Sequence, residues 1–99
     1  MNFMVYWSPA SKDEYAEILK HLESEYGLES ALKFMDKTDE VVNSISTFPK
    51  SGIPTKKEKI RKIVITKQTS LLYEINQQKI ELLHFWDTRQ NPEKLEDIS

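Results

Sequence analysis

A single glycine, Gly27, separates two stretches in which apolar residues recur at intervals of three and four, and this spacing constrains the fold most. In the first stretch the recurring residues are Tyr15, Ile18, Leu19, Leu22 and Tyr26. Ser8-Pro9 reads as its start, a side-chain cap followed by a proline where the missing N–H costs nothing. In the second, Leu28, Ala31, Leu32, Met35, Val42, Ile45 and Phe48 are placed on one face and Glu29, Lys33, Lys37 and Glu40 on the other. Gly27 can take the left-handed conformation that ends the first helix, while Pro49, Gly52 and Pro54 end the second. Two helices joined so tightly fold back as an antiparallel hairpin.

On either side of this hairpin the period changes to two. Phe3-Met4-Val5-Tyr6-Trp7 is β-branched and aromatic and short enough for a strand. Ile60 to Thr66 is β-branched and half polar; Leu71, Tyr73 and Ile75 alternate with Leu72 and Glu74; Ile80, Leu82, His84 and Trp86 alternate with Glu81, Leu83, Phe85 and Asp87. The connections 67–69 and 76–78 are short enough for hairpins, so these three strands are expected to form an antiparallel meander. The predicted architecture is α+β, in the order β-α-α-β-β-β, an antiparallel sheet with the helical hairpin on one face. Its 99 residues make one domain, 1–99, with 93–99 read as a frayed or disordered tail.

Composition narrows the chemistry. Without cysteine there are no disulfides, thiolate zinc sites or cysteine nucleophiles, and His21 and His84 alone make no convincing metal site. No apolar run is long enough to span a bilayer, and no signal peptide is evident, so the cytoplasm is the expected compartment. Neither a metal nor a cofactor is expected: the chain has no glycine-rich phosphate loop, His-Glu zinc motif or serine-nucleophile motif.

Charge is unevenly spread beneath a net of −2. Residues 12–48 carry nine acids against four bases; residues 50–67 carry Lys50, Lys56, Lys57, Lys59, Arg61, Lys62 and Lys67 against Glu58 alone. Such a basic segment suits a local contact with an anionic partner, and also suits a solvated edge strand that resists unwanted pairing. The acids Asp13, Glu14 and Glu17 read as a helix start that favours negative charge. At the other end of the chain, His84, Trp86, Asp87 and Arg89 run from a strand into a loop, a common way to build a site.

With these residues in view, the chain resembles the RelE/ParE superfamily of type II toxin–antitoxin toxins over nearly its whole length. The resemblance rests on Trp7-Ser8-Pro9-Ala10 followed by Asp13, on Tyr26-Gly27 with Ala31 and Phe34, and on the last strand running through Phe85-Trp86-Asp87-Thr88 into Arg89-Gln90-Asn91-Pro92. It implies a toxin neutralised by a cognate antitoxin protein. ParE-like members poison DNA gyrase and RelE-like members cut mRNA in the ribosome without metal; a third reading of this chain is a superfamily member that has lost toxicity and only binds its antitoxin. In the RelE pattern an arginine stands shortly before the tyrosine that matches Tyr73, where this chain has Ser70 or Leu71, and no tyrosine follows Asn91. The ParE-like branch is therefore favoured. The basic segment and the resemblance together make Lys56, Lys57, Lys59, Arg61, Lys62, Arg89 and Gln90 candidates for target contact, with Lys59, Arg61, Lys62 and Arg89 at positions that are generally basic in the family. For a ribonuclease, the candidate catalytic groups would be Lys59, Arg61, Lys62, His84 and Arg89.

Overall fold

The computed structural model describes residues 2–87. The elements are β1 (Met4–Trp7), α1 (Pro9–Tyr26), α2 (Leu28–Thr47), a single 3-10 turn at Pro49–Ser51, and then β2 (Ile53–Pro54), β3 (Ile60–Val64), β4 (Thr69–Asn76) and β5 (Lys79–Asp87). The Ser8 Oγ accepts the Ser11 N–H at 3.0 Å, as the capping argument requires, and Gly27 joins the two helices at φ +97° and ψ 167°. No described helix is long and apolar enough to cross a membrane.

The strands form one sheet in the order β1-β5-β4-β3-β2. The expected α+β class and antiparallel meander are present as β3, β4 and β5. Two features depart from the all-antiparallel, four-strand expectation. The first strand pairs with β5 in parallel, so the sheet is mixed. The loop after α2 also contributes β2, a two-residue edge strand antiparallel to β3. Parallel pairing needs a long crossover, and the helical hairpin supplies it.

The core lies between the hairpin and one sheet face, where Phe34, Val41 and Ile45 meet Leu71, Tyr73, Ile80, Leu82 and Phe85. An aromatic group closes one end: Trp7 stacks on Phe85 with centroids 5.4 Å apart, and Tyr15 packs edge-on against Trp7 at 5.1 Å. The buried stripe of α2 is Ala31, Phe34, Thr38, Val41 and Ile45. It differs from the expected stripe because Thr38 fits the core by donating its hydroxyl to the Phe34 carbonyl at 2.8 Å, while Leu28, Leu32, Met35 and Phe48 face solvent.

The last strand does not keep its alternation. Ile80 and Leu82 point into the core, the register shifts, and from there Phe85 is the inward residue. One extra residue opposite Leu72–Tyr73 is a bulge, and it exchanges the faces of everything beyond it.

Candidate functional site

The basic segment folds as the β2–β3 hairpin, and its base is fastened to the sheet from below. Tyr73, fully buried, donates its hydroxyl to the Pro49 carbonyl at 2.6 Å and accepts the Gly52 N–H at 3.0 Å. Gly52 is needed for this approach, since a Cβ there would lie 2.6 Å from the tyrosine oxygen. Arg61, the cross-strand partner of both Tyr73 and Pro54, donates from Nη1 to the Gly52 carbonyl at 2.6 Å and to the Lys50 carbonyl at 3.2 Å. Burial pushes the Tyr73 phenol above its ordinary value, and the Gly52 hydrogen bond and the Arg61 charge oppose that rise.

The hairpin tip is ordered by its backbone and by Thr55. The Thr55 Oγ1 donates to the Ile60 carbonyl at 2.9 Å and accepts the Lys57 N–H at 3.2 Å, and the Ile60 N–H returns to the Lys57 carbonyl at 3.0 Å. None of these bonds uses a lysine side chain. Lys56, Lys57 and Lys59 are therefore carried exposed on a turn whose shape does not depend on them. Of the predicted contact residues, the structure gathers these three into one tip. Arg61 faces inward to loop carbonyls, and Lys62, half-buried, alternates to the other face of the sheet.

His84 lies in the same cross-strand row as Lys62, with Leu72 between them. Its Nδ1 is 3.0 and 3.2 Å from the two carboxylate oxygens of Glu14. With Glu14 ionised, that contact places the proton on Nδ1 and leaves Nε2 of a neutral ring as an acceptor. Glu14 also accepts the Phe85 N–H at 3.0 Å. The reason lies in the sheet: β1 runs out opposite Leu82, and beyond that point a carboxylate from α1 takes the place of the missing strand. Ser8 completes the seam, donating its N–H to the Leu82 carbonyl and its hydroxyl to the Leu83 carbonyl, each at 3.0 Å.

Glu14 and Gly52 were not singled out for these roles by the sequence. The expectation that Asp13, Glu14 and Glu17 serve the helix start does not hold, because α1 begins at Pro9 and its first turn carries no acid. The partner of Glu14 is 70 residues away, so no local spacing signals the pair. Arg89 and Gln90 lie outside the described residues, as does the tail at 93–99. Among the described residues no group of three or more His, Asp or Glu side chains is arranged to hold a metal ion.

Similar proteins agree with this architecture. The model of the ParE toxin family, toxins of the parDE type II toxin–antitoxin system, matches residues 5–92. No curated protein matches the chain. Among solved structures, a chain of the chromosomal ParDE toxin–antitoxin system from P. aeruginosa superposes with a TM-score of 0.74 at 18% identity, over 86% of this chain and 95% of its own. The YoeB dimer from Staphylococcus aureus gives a TM-score of 0.62 at 14% identity, over 87% of this chain and 97% of its own. A YoeB/ParE toxin from Agrobacterium tumefaciens gives 0.61 at 13% identity, over 85% and 97%. At these identities the superpositions speak for the fold, and it is the match of the family model across nearly the whole described chain that identifies the protein as a member of the ParE toxin family of type II toxin–antitoxin systems.

Proposed function

We propose that this toxin arrests growth by binding its target rather than by cutting RNA, that the target is DNA gyrase, and that a cognate antitoxin protein neutralises it. The observation that carries the reading is the engagement of Tyr73 and Arg61. Cleavage at a ribose 2′-OH needs a base, an acid and a charge stabiliser converging on one phosphate. Here the tyrosine at the RelE-type position is sealed between the Pro49 carbonyl and the Gly52 N–H, and Arg61 is turned to loop carbonyls. Lys59 joins the sheet at Ile75, three residues along β4 from the row of His84 and across an intervening strand. Strand dimensions make their backbone separation on the order of 14 Å.

In this reading Lys56, Lys57, Lys59 and Lys62 meet the target as point charges, Arg89 and Gln90 extend the contact, and Arg61 acts by fixing the hairpin that presents the lysines. The likeness to the P. aeruginosa ParDE toxin–antitoxin system supports an antitoxin as the regulator. The second reading, a ribosome-dependent mRNA endoribonuclease, draws its support from His84, whose Nδ1 contact with Glu14 leaves Nε2 available in the row of Lys62.

Two assays on the purified protein separate them: DNA supercoiling by gyrase, and cleavage of mRNA on programmed ribosomes. The expected result is blocked supercoiling with intact mRNA. Ribosome-dependent cleavage with normal supercoiling would overturn the gyrase assignment. Inactivity in both assays, with normal growth on full induction, would leave only the antitoxin contact.

A further inference from the structure

An apolar trough of about 660 Å³ opens where the end of α2 meets the β4–β5 hairpin, away from the Glu14–His84 seam. Phe3, Phe48, Pro49 and Ile75 line it, Lys50 lies among its walls, and no acidic residue does. Phe48 is 67% exposed although its backbone is fixed, the N–H to the Ser44 carbonyl at 2.8 Å and the carbonyl to the Ser51 hydroxyl at 2.8 Å. Tyr73 pins the Pro49 carbonyl, so that wall is also held in place. An aromatic ring kept in water on a rigid backbone is unfavourable alone and becomes favourable when something covers it.

The surroundings say what kind of cover fits. The Ile75 N–H bonds to the Lys59 carbonyl at 2.9 Å, which brings the lysine-bearing tip beside the trough, while Lys50 borders it from within. Apolar walls with Lys50 among them, and exposed Lys59 on the turn that borders Ile75, match a chain with a large apolar side chain flanked by carboxylates. A nucleic acid duplex would answer the lysines but not the walls, since its bases are stacked inside and its phosphates gain nothing from a surface of aliphatic and aromatic carbon. A single strand, whose bases could stack on Phe48, is the competitor that the oligonucleotide probe below tests.

We propose that this trough is a docking site for an acidic segment of a partner protein, with an apolar side chain seated against Phe48 and carboxylates paired with Lys50 and Lys59. The site does not depend on gyrase being the target, so a negative supercoiling result leaves it standing.

The test is fluorescence anisotropy with the purified full chain and three labelled probes: a short Asp/Glu-rich peptide carrying one Phe and one Leu, the same peptide with both replaced by Ser, and a single-stranded DNA oligonucleotide of equal length. The peptide with Phe and Leu should bind most tightly, with an affinity that falls as salt rises. Phe48→Ser should weaken it by about tenfold or more, the loss expected for one exposed aromatic contact. Lys50→Glu with Lys59→Glu should weaken it as well and flatten its salt dependence. Phe48 is outside the core, and circular dichroism checks that each variant stays folded. Equal binding of the Ser-substituted peptide, indifference to Phe48→Ser, failure of the apolar peptide to bind, or tighter binding of the oligonucleotide would each overturn the proposal.

Discussion

The hydroxyl of Tyr73 ties the loop after α2 to the sheet through one donated and one accepted hydrogen bond, the accepted one buried and the donated one partly so. Tyr73→Phe leaves the Gly52 N–H and the Pro49 carbonyl without that partner. The loss should be about 1–3 kcal/mol in urea unfolding, the usual cost of stranding buried polar groups. The same residue sets an alkaline limit. Burial raises its folded pKa above the ordinary tyrosine value of 10.0, so folding favours the neutral phenol. That contribution is fully present below pH 10.0 and is lost as the pH climbs from there through the raised folded value, because the unfolded chain releases its proton first. Tyr15, raised by burial and by the Asp39 charge, acts in the same direction. Stability measured from pH 9 upward should therefore fall less steeply in Tyr73→Phe than in the parent. Little of this is legible from sequence: Tyr73 can be matched to a family position and assigned to a strand, but its hydroxyl partners belong to a loop more than twenty residues earlier. Arg61 shows the same gap. Its place in a basic run suggests an outward charge, whereas the approach of Gly52 turns the guanidinium to carbonyls.

The helices and the meander were legible because each is written in a local period, and the capping serine and joining glycine act where their spacing says. What was not legible is pairing at a distance. Nothing in Met4–Trp7 records that it will lie parallel to a strand 75 residues on. The bulge in β5 is likewise invisible, since Ile80, Leu82, His84 and Trp86 alternate cleanly in the sequence while the register shift puts Phe85 inside. Gly27 holds φ +97° and ψ 167° with nothing within 4 Å of a Cβ placed there, so Gly27→Ala meets no clash. Its cost is backbone strain in a region almost reserved for glycine, about 1–3 kcal/mol, read as a lower melting temperature with an unchanged far-ultraviolet spectrum. Glu14→Ala removes the carboxylate that substitutes for a strand beyond Leu82. Hydrogen exchange at the Phe85 amide should accelerate while amides paired between β3 and β4 keep their protection. Overall stability should drop by about 1.5 kcal/mol, the lower end for a hydrogen bond to a charged group because the site is half-open.

At the scale of the molecule, the fold turns a charge imbalance along the chain into an imbalance in space. The acid-rich stretch becomes the helical hairpin; the basic segment is carried to the β3–β2 side of the sheet, at the opposite edge from β1. A protein with a net charge of −2 can thus present a local positive pole to an anionic partner. This makes the lysine tip testable apart from the fold, because the turn is held by Thr55 and backbone bonds. Reversing Lys56, Lys57 and Lys59 to glutamate changes the charge by two at each position and takes the net from −2 to −8. Thermal stability should move little, about 0.5 kcal/mol per site or less, as is usual for exposed substitutions away from special features. Target binding should fall by about tenfold or more, mainly through slower association, and lose most of its sensitivity to salt. Induced cells would then keep growing while soluble toxin accumulates. If growth arrest persists at the parental rate with this triple variant folded, the lysine tip is a solvated edge that keeps the sheet from pairing further, and the target contact must be sought elsewhere on the molecule.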